Sequence, residues 1–192
     1  MNINGLRNAL IALVIFECWD RENKKINEEK LDSFIEKWRI KLDKNEREEI
    51  LQLDEKSRKK KISEYEKLVL EPVVSESFKV LYDGEEKILV EFAQIIGIVL
   101  KMRGLSITQI RKFLDNLKSP KINEENIVLL KAYLAYAVSR NKAAEVLMSV
   151  LEPCIDNISK EEDKSKKREK FEKFVKFVEA IVAYHLYYGG AK

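Results

Sequence analysis

Glycine and proline are so scarce in this chain that few tight turns are available to it, and this scarcity limits its possible folds more than any other feature. The 192 residues include 6 Gly and 3 Pro, too few for a many-stranded sheet. Apolar residues instead recur at the three- and four-residue intervals of amphipathic helices. Hydrophobic residues make up 45% of the chain, enough to form a core. The sequence therefore predicts an all-α fold, a compact helical bundle.

Local signals indicate several helix boundaries in the first half of the chain. An apolar run predicts a helix over residues 3–19. Asn27, followed by two glutamates, predicts the N-cap of the next helix. The polar segment 44–67 is consistent with either one long exposed helix or two shorter ones. Pro72 is expected to end that segment, because the residue before a proline is pushed out of the helical conformation.

Further boundaries are indicated in the second half. Gly104 is typical of a helix C-cap, and residues 106–109 match the S-x-x-Q capping box that opens a helix. Asn123 is predicted to cap the following helix, and residues 159–168, which contain no apolar side chain, are predicted to form a mobile loop. The helix after Asn123 contains Leu130, Tyr133, Leu134 and Ala137.

The sequence offers little for catalysis or for metal and cofactor binding. Cys18 and Cys154 lie far apart in apolar surroundings, which indicates buried reduced thiols rather than a disulfide or a metal site. His185 is the single histidine, and we interpret it as structural, at a helix end favoured by the dipole. No nucleotide-binding or hydrolase motif is present. The apolar run at 9–16 is too short to span a bilayer, so we expect a soluble, cytoplasmic protein without membrane contacts. Because catalytic motifs are missing, we also expect that it is not an enzyme.

Positive charge is concentrated in one segment of a chain that is otherwise nearly balanced. The 36 Lys and Arg residues exceed the 33 Asp and Glu residues by only three, so any nucleic-acid role requires local segregation of charge. Residues 101–112 contain four basic side chains and no acidic one: Lys101, Arg103, Arg111 and Lys112. The first two end one predicted helix, and the others lie near the start of the next, whose free amides also favour phosphate.

Arg140 and Lys142 form a second small basic cluster, with Lys131 a few turns earlier. Such a surface binds a phosphate backbone without reading bases. For Lys101, Arg103 and Arg140 the alternative is the general preference of cations for helix C-termini. The densest basic run, at 58–61, is flanked by acidic residues and indicates a solvated helix face. The predicted nucleic-acid-binding residues are Arg111, Lys112, Arg140, Lys101, Arg103 and Lys142.

Three stretches of the sequence resemble one known family. Residues 106–113 (Ser-Ile-Thr-Gln-Ile-Arg-Lys-Phe) are similar to the Thr/Ser-rich signature of the small subunit of the type III-A CRISPR effector complex. Residues 134–140, which end in Ser-Arg, resemble its helix of small residues closed by arginine, and 174–185 resemble its terminal helix. The resemblance covers about 85–190. It implies a family-like helical bundle over 85–192 and an additional N-terminal helical extension over 1–84 that packs on it.

The resemblance also implies a function. Such a small subunit has no catalytic site or cofactor, and several copies line the guide–target RNA duplex beside the filament of backbone subunits. The implied partners are the CRISPR RNA, the target RNA, the backbone and large subunits, and further copies of the chain along the filament. Family residues implicated in RNA contact are basic, and the matching positions here are Arg111, Lys112 and Arg140.

Three alternatives remain at this point. Residues 104–113 could form the turn and recognition helix of a helix-turn-helix DNA-binding protein. The exposed segment 44–67 could serve a protein–protein adaptor. The type III-B small subunit, also helical and scaffold-like, differs from the favoured family only in the three stretches above.

Overall fold

The computed structural model describes residues 4–84 and 86–189, and within them helices dominate. The nine α-helices of this part of the chain are α1 (Asn4–Glu17), α2 (Glu28–Trp38), α3 (Lys44–Leu51), α4 (Glu55–Asp83), α5 (Glu86–Met102), α6 (Ile107–Leu117), α7 (Leu129–Arg140), α8 (Glu145–Ser159) and α9 (Lys164–Tyr187). A 3-10 helix (Lys142–Ala144) precedes α8. Strand β1 (Trp19–Asp20) pairs antiparallel with β2 (Lys25–Ile26), an unpredicted hairpin. The structure confirms the all-α fold class.

The chain forms two compact units, Met1–Val69 and Leu70–Lys192. The division falls inside α4, so this helix contributes residues to both units. The N-terminal helical extension expected over residues 1–84, packed on a bundle over 85–192, stays a prediction.

The first unit is built around the apolar helix α1, as its hydrophobic run predicts. Successive residues from Ile11 to Ile15 are all buried, and α1 packs against α2. Asn27 caps α2 as predicted, since its side-chain oxygen accepts a hydrogen bond from the Lys30 amide at 2.9 Å. Cys18 lies in this core, and burial raises the pKa of its thiol to about 12. None of the helices in residues 4–84 and 86–189 is long and apolar enough to cross a membrane.

The polar segment 44–67 forms two helices, α3 and the start of α4, which settles the choice left open by the sequence. Asp43 and Glu46 form a reciprocal capping box at the start of α3. Arg7 of α1 donates to both carboxylate oxygens of Glu46, at 2.6 and 2.7 Å. This hydrogen bond holds the pKa of Glu46 below its usual value. The pair thus links α1 to the first turn of α3.

The prediction that Pro72 ends a helix is wrong, because α4 continues through it to Asp83. A proline inside a helix removes one amide donor and leaves the carbonyl four residues earlier without it. That residue here is Leu68, whose side chain is 61% exposed, so the carbonyl lies towards the solvent side of the helix. Val69 and Val73 are buried on the opposite side. Packing of this apolar face therefore outweighs the local preference of proline.

The second unit is organised by α5, the most apolar helix, which packs chiefly against α9 and also against α8. The two main helices approach closely at Gly97. A Cβ atom at this position would lie 2.8 Å from the backbone nitrogen of His185 and 3.0 Å from the carbonyl carbon of Tyr184. Only glycine therefore permits this separation without a shift of one helix. Fully buried Phe92, Phe174 and Phe177 fill the surrounding core.

The second part of α4 belongs to this unit and is fixed on α8 by two hydrogen bonds. The buried Ser77 hydroxyl donates to the carbonyl of Val150 at 3.3 Å, and the Tyr82 hydroxyl donates to that of Cys154 at 3.2 Å. Burial raises the pKa of Tyr82 and of Cys154 above their usual values. Both groups are therefore neutral and structural. Helices α6 and α7 complete the unit, with α6 against α9 and α7 against α8.

Two predicted boundaries in this unit are wrong. Asn123 does not cap α7, because its side chain accepts hydrogen bonds from the amides of Glu125 and Asn126 in a turn, and the helix begins only at Leu129. The predicted mobile loop over 159–168 is helical from Lys164 onward, where Asp163 provides the cap. Ion pairs between residues four apart in α9, such as Arg168 with Glu172 at 3.2 Å, favour helix over loop there.

Candidate nucleic-acid interface

The turn between α5 and α6 carries the predicted basic segment and has a defined geometry. Gly104 adopts a left-handed conformation with φ of 76° and ends α5, as predicted. The predicted capping box is present: the Gln109 amide donates to the Ser106 hydroxyl at 3.3 Å, and the Ser106 amide donates to the Gln109 side-chain oxygen at 3.1 Å. The start of α6, next to the predicted cations, therefore has both of these amides hydrogen-bonded.

Asn141, immediately after α7, ties the second basic cluster to this turn. Its side-chain amide donates to the carbonyl of Gly104 at 3.3 Å and to the side-chain oxygen of Gln109 at 3.2 Å. Its side-chain oxygen accepts from the Ala143 amide at 2.9 Å and caps the 3-10 helix. Two basic segments separated by some thirty residues in sequence are therefore adjacent in the fold.

A groove of about 240 Å³ runs between α6 and α7. From α6 it is lined by Thr108, Gln109, Lys112, Phe113 and Asn116. From α7 it is lined by Tyr133, Tyr136, Ala137 and Arg140. Among the residues that the structure describes, the lining thus combines two cations with aromatic rings and includes no carboxylate. The ammonium of Lys112 lies 5.9 Å from the centroid of the Tyr136 ring, within the range of a cation–π interaction.

The other predicted cations lie around this groove in different environments. Arg111 is exposed on α6 outside the lining, and Lys142 is exposed on the 3-10 helix. Within the described residues, neither of these side chains nor Arg140 forms an ion pair. Arg103 is exposed just beyond α5, whereas Lys101 is partly buried near Gly189 at the end of α9. Both Lys101 and Arg103 interact with other parts of the chain.

Several basic residues elsewhere in the chain form ion pairs with acidic side chains. Lys131 pairs with Asp156 at 2.6 Å and with Glu152 at 3.4 Å, so it does not add free charge to the cluster that contains Arg140. In the run 58–61, Lys59 pairs with Glu55 at 2.7 Å and the other two lysines also pair with glutamates. The guanidinium of Arg58, the first residue of the run, packs over the Trp19 ring instead.

Comparison with known families decides the identity of the second unit. The family model for Csm2 Type III-A matches residues 83–191, more than half of the chain. The chain belongs to the Csm2 type III-A family. No curated protein and no solved structure matches it significantly. All three stretches on which the sequence resemblance rests lie inside the Csm2 match, and residues 1–82 lie outside it.

Csm2 is the small subunit of the type III-A CRISPR complex, and membership assigns that role to this chain. The predicted resemblance is therefore confirmed. The groove, the α5–α6 turn and the 3-10 helix all fall within the matched residues. The candidate interface is thus part of the Csm2 region of the chain rather than of the N-terminal residues that precede it.

Sequence reasoning missed the aromatic side of this Csm2 surface. Tyr133 of α7 is 38% exposed and Tyr136 is 54% exposed. The available signal was helical spacing, since these tyrosines and Arg140 recur at three- and four-residue intervals on α7. In α7 only Leu130 and Leu134 are fully buried, so the buried face of this helix is narrow.

His185 is structural, as expected, but for a different reason. It lies in the last turn of α9, at the expected helix end, and is fully buried, with Nε2 2.9 Å from the carbonyl oxygen of Leu105. Burial lowers the pKa of His185, and the nearby Lys101 lowers it further. The ring is therefore neutral. The expected interaction between a charged imidazole and the helix dipole does not explain the position of His185. Within residues 4–84 and 86–189, no group of three or more His, Cys, Asp or Glu side chains is arranged to hold a metal ion.

Proposed function

We propose that this chain is a non-catalytic small subunit whose copies line the guide–target RNA duplex of a type III-A complex and bind its phosphate backbone without reading the sequence. The observation that carries the proposal is the groove between α6 and α7, whose described lining residues include Lys112 and Arg140 and no carboxylate. Its partners are then the CRISPR RNA, the target RNA, the backbone and large subunits, and further copies along the filament, all acting in cytoplasmic antiviral defence.

The electrostatics around the groove support phosphate binding. Arg111 and Lys142 extend the positive surface on either side of the groove, and both are exposed. The nearest acidic residue on α6, Asp115, makes no ion pair with Arg111 or Lys112 in this structure. Phosphate oxygens are good partners for such cations, and binding by counterion release does not depend on base sequence. Lys101 and Arg103 contribute positive potential from the neighbouring turn.

The state of the single histidine supports a non-catalytic role. General acid–base catalysis most often uses an imidazole within reach of its substrate. His185 is fully buried and its Nε2 is engaged with Leu105, so it has no access to a bound ligand. We assign residues 1–84 as an N-terminal extension of the Csm2 bundle, because the family match leaves residues 1–82 uncovered.

The test is the double variant Arg111→Glu with Lys112→Glu, measured in the full chain. Binding to a fully paired RNA duplex is followed by fluorescence anisotropy between about 50 and 200 mM salt. We expect weaker binding, and we expect the slope of log K against log salt to fall by roughly one for each phosphate that the variant no longer neutralises. The same weakening is expected for duplexes of unrelated sequence.

The matched control reverses two adjacent lysines on another exposed helix face. Lys59→Glu with Lys60→Glu changes the net charge equally, at positions already paired with Glu55 and Glu64. We expect this variant to retain the affinity and the salt slope. If both variants weaken binding equally, the effect is due to the net charge and not to this surface. An unchanged salt slope in the α6 variant would contradict phosphate binding at this surface.

A further inference from the structure

The groove between α6 and α7 contains more aromatic surface than phosphate binding requires. Tyr133 and Tyr136 are 38% and 54% exposed, and the buried ring of Phe113 closes the groove from α6. Amphipathic aromatic residues exposed beside a concave surface are typical of binding sites, because their rings offer a large rigid apolar face. A backbone phosphate uses none of this face. The rings therefore indicate a second component of the ligand.

The charges and the size of the groove restrict what that component is. Lys112 and Arg140 flank the rings, and the lining contains no carboxylate, so the ligand carries negative charge next to a flat apolar group. The volume of about 240 Å³ is below the roughly 300–1,000 Å³ of typical small-molecule pockets. A nucleotide combines a planar base with a phosphate, and a single base suits a groove of this size.

We propose that this groove binds one unpaired nucleotide of RNA, with its base stacked on Tyr136 and its flanking phosphates on Lys112 and Arg140. The inference rests on the proposed function and deepens it, since it adds a base site to a phosphate-binding surface. Stacking tolerates any base, because every base presents a π-face. The site is therefore sequence-independent, and it distinguishes unpaired from paired nucleotides.

The position of Lys112 in the free protein is compatible with this exchange. Its ammonium lies 5.9 Å from the Tyr136 ring centroid, near the outer limit of about 6 Å for a cation–π interaction. The side chain is exposed, so its flexible stem can turn from the ring to a phosphate when a base arrives. The ring face is thus covered in the free state by a group that the same ligand attracts away.

The test compares the affinities of the full chain for three RNA duplexes that differ at one position. Binding is measured by fluorescence anisotropy at low salt. One is fully paired, one carries a single bulged adenosine, and one carries an abasic bulge of the same backbone length. We expect the bulged adenosine to bind roughly five-fold or more tightly than the other two, the gain typical of one stacked base. The abasic duplex controls for the flexibility that any bulge introduces.

Variants at Tyr136 assign the gain to the groove. Tyr136→Phe retains the ring and is expected to keep the preference for the bulged adenosine, whereas Tyr136→Leu is expected to reduce the ratio of affinities towards one. Tyr187→Leu removes a comparably exposed tyrosine from the end of α9, where 63% of that residue is accessible, and is expected to leave the ratio of affinities unchanged. Circular dichroism checks that each variant folds.

The outcomes separate this inference from the proposed function. Salt-dependent binding of all three duplexes with equal affinity would overturn the base site and leave phosphate binding in place. Absence of binding to every duplex would overturn both. If Tyr136→Leu keeps the bulge preference but fails to join the co-expressed type III-A complex, this face contacts a protein, and the base site is likewise overturned.

Discussion

At the scale of single residues, His185 shows how one buried ring connects distant parts of the second unit. The carbonyl of Leu105 only accepts hydrogen bonds, so the proton of the neutral ring resides on Nε2. Nδ1 is buried and has no hydrogen-bond partner among the described residues. A second proton on the ring would therefore be a buried cation facing Lys101, without a compensating acceptor. The fold is built around the neutral form.

This environment predicts a loss of stability in mildly acidic solution. Because the folded-state pKa of His185 lies below its unfolded value of about 6.5, the unfolded chain binds the proton more readily. The free energy of unfolding is then highest above about pH 6.5 and falls as the pH approaches the folded-state pKa. Urea denaturation between about pH 5 and pH 8 measures this dependence.

The control for this prediction is His185→Gln, whose side-chain amide can still donate to Leu105 but does not titrate. We expect its free energy of unfolding to be nearly constant over the same range. The chain has no other histidine, and carboxylates with lowered pKa, such as Glu46, titrate below this window. A wild-type profile that parallels the variant profile would show that burial of the ring is not coupled to protonation.

At the scale of elements, Pro72 is the place where local preference and packing disagree. Alanine is favoured over proline by about 3 kcal/mol inside a helix, and proline recovers about 1 kcal/mol by restricting the unfolded chain. We therefore expect Pro72→Ala to raise the free energy of unfolding by about 2 kcal/mol. Thermal and urea denaturation of the full chain provide the measurement.

A second exposed position in the same helix separates this effect from general helix propensity. Ser63→Ala also introduces alanine into α4, and we expect it to change the free energy of unfolding by no more than about 0.5 kcal/mol. If Pro72→Ala is instead destabilising, the native path of α4 depends on the proline, and the restored amide does not find a good acceptor.

The elements also show which features could be predicted from sequence. Caps at Asn27 and Ser106 were predicted correctly, because a cap is an interaction among residues only three apart. The continuation of α4 through Pro72 could not be predicted from the sequence, because it depends on the burial of Val69 and Val73. The Asn123 side chain accepts backbone hydrogen bonds, as a cap does, but it does so in a turn. The local pattern therefore predicted its hydrogen bonding but not the element in which it lies.

The candidate interface divides in the same way. Its cations were predicted because a segment without acidic residues is visible in the sequence. The exposure of Tyr133 was not predicted, because it depends on how much of α7 is left uncovered by α6 and α8. Asn141 was also missed as a link, since its partners, Gly104 and Gln109, lie more than thirty residues earlier. Whether these residues contact RNA remains a prediction.

At the scale of the whole molecule, Csm2 membership predicts assembly. Co-expression with the other type III-A subunits and a guide RNA, followed by native mass spectrometry, should give particles with several copies of this chain. Reversing the charges of Arg111, Lys112 and Arg140 together should lower the copy number, because the reversed surface repels the RNA backbone.

The paired-lysine variant Lys59→Glu with Lys60→Glu again serves as the control, and it should join the particle with wild-type copy number. Failure of the wild-type chain to enter any such particle would contradict the proposed role in the complex. Retention of all copies by the triple variant would show instead that contacts with protein subunits alone secure it.

The close approach of α5 and α9 at Gly97 also has a consequence for the newly made chain. The helices that meet there lie 88 positions apart, from Gly97 to His185. At roughly 5 to 20 residues per second, a ribosome needs about 4 to 18 seconds to make the intervening segment. During that interval the most apolar helix of the protein has left the ribosome without its main partner. Each round of synthesis therefore includes a period in which aggregation competes with folding.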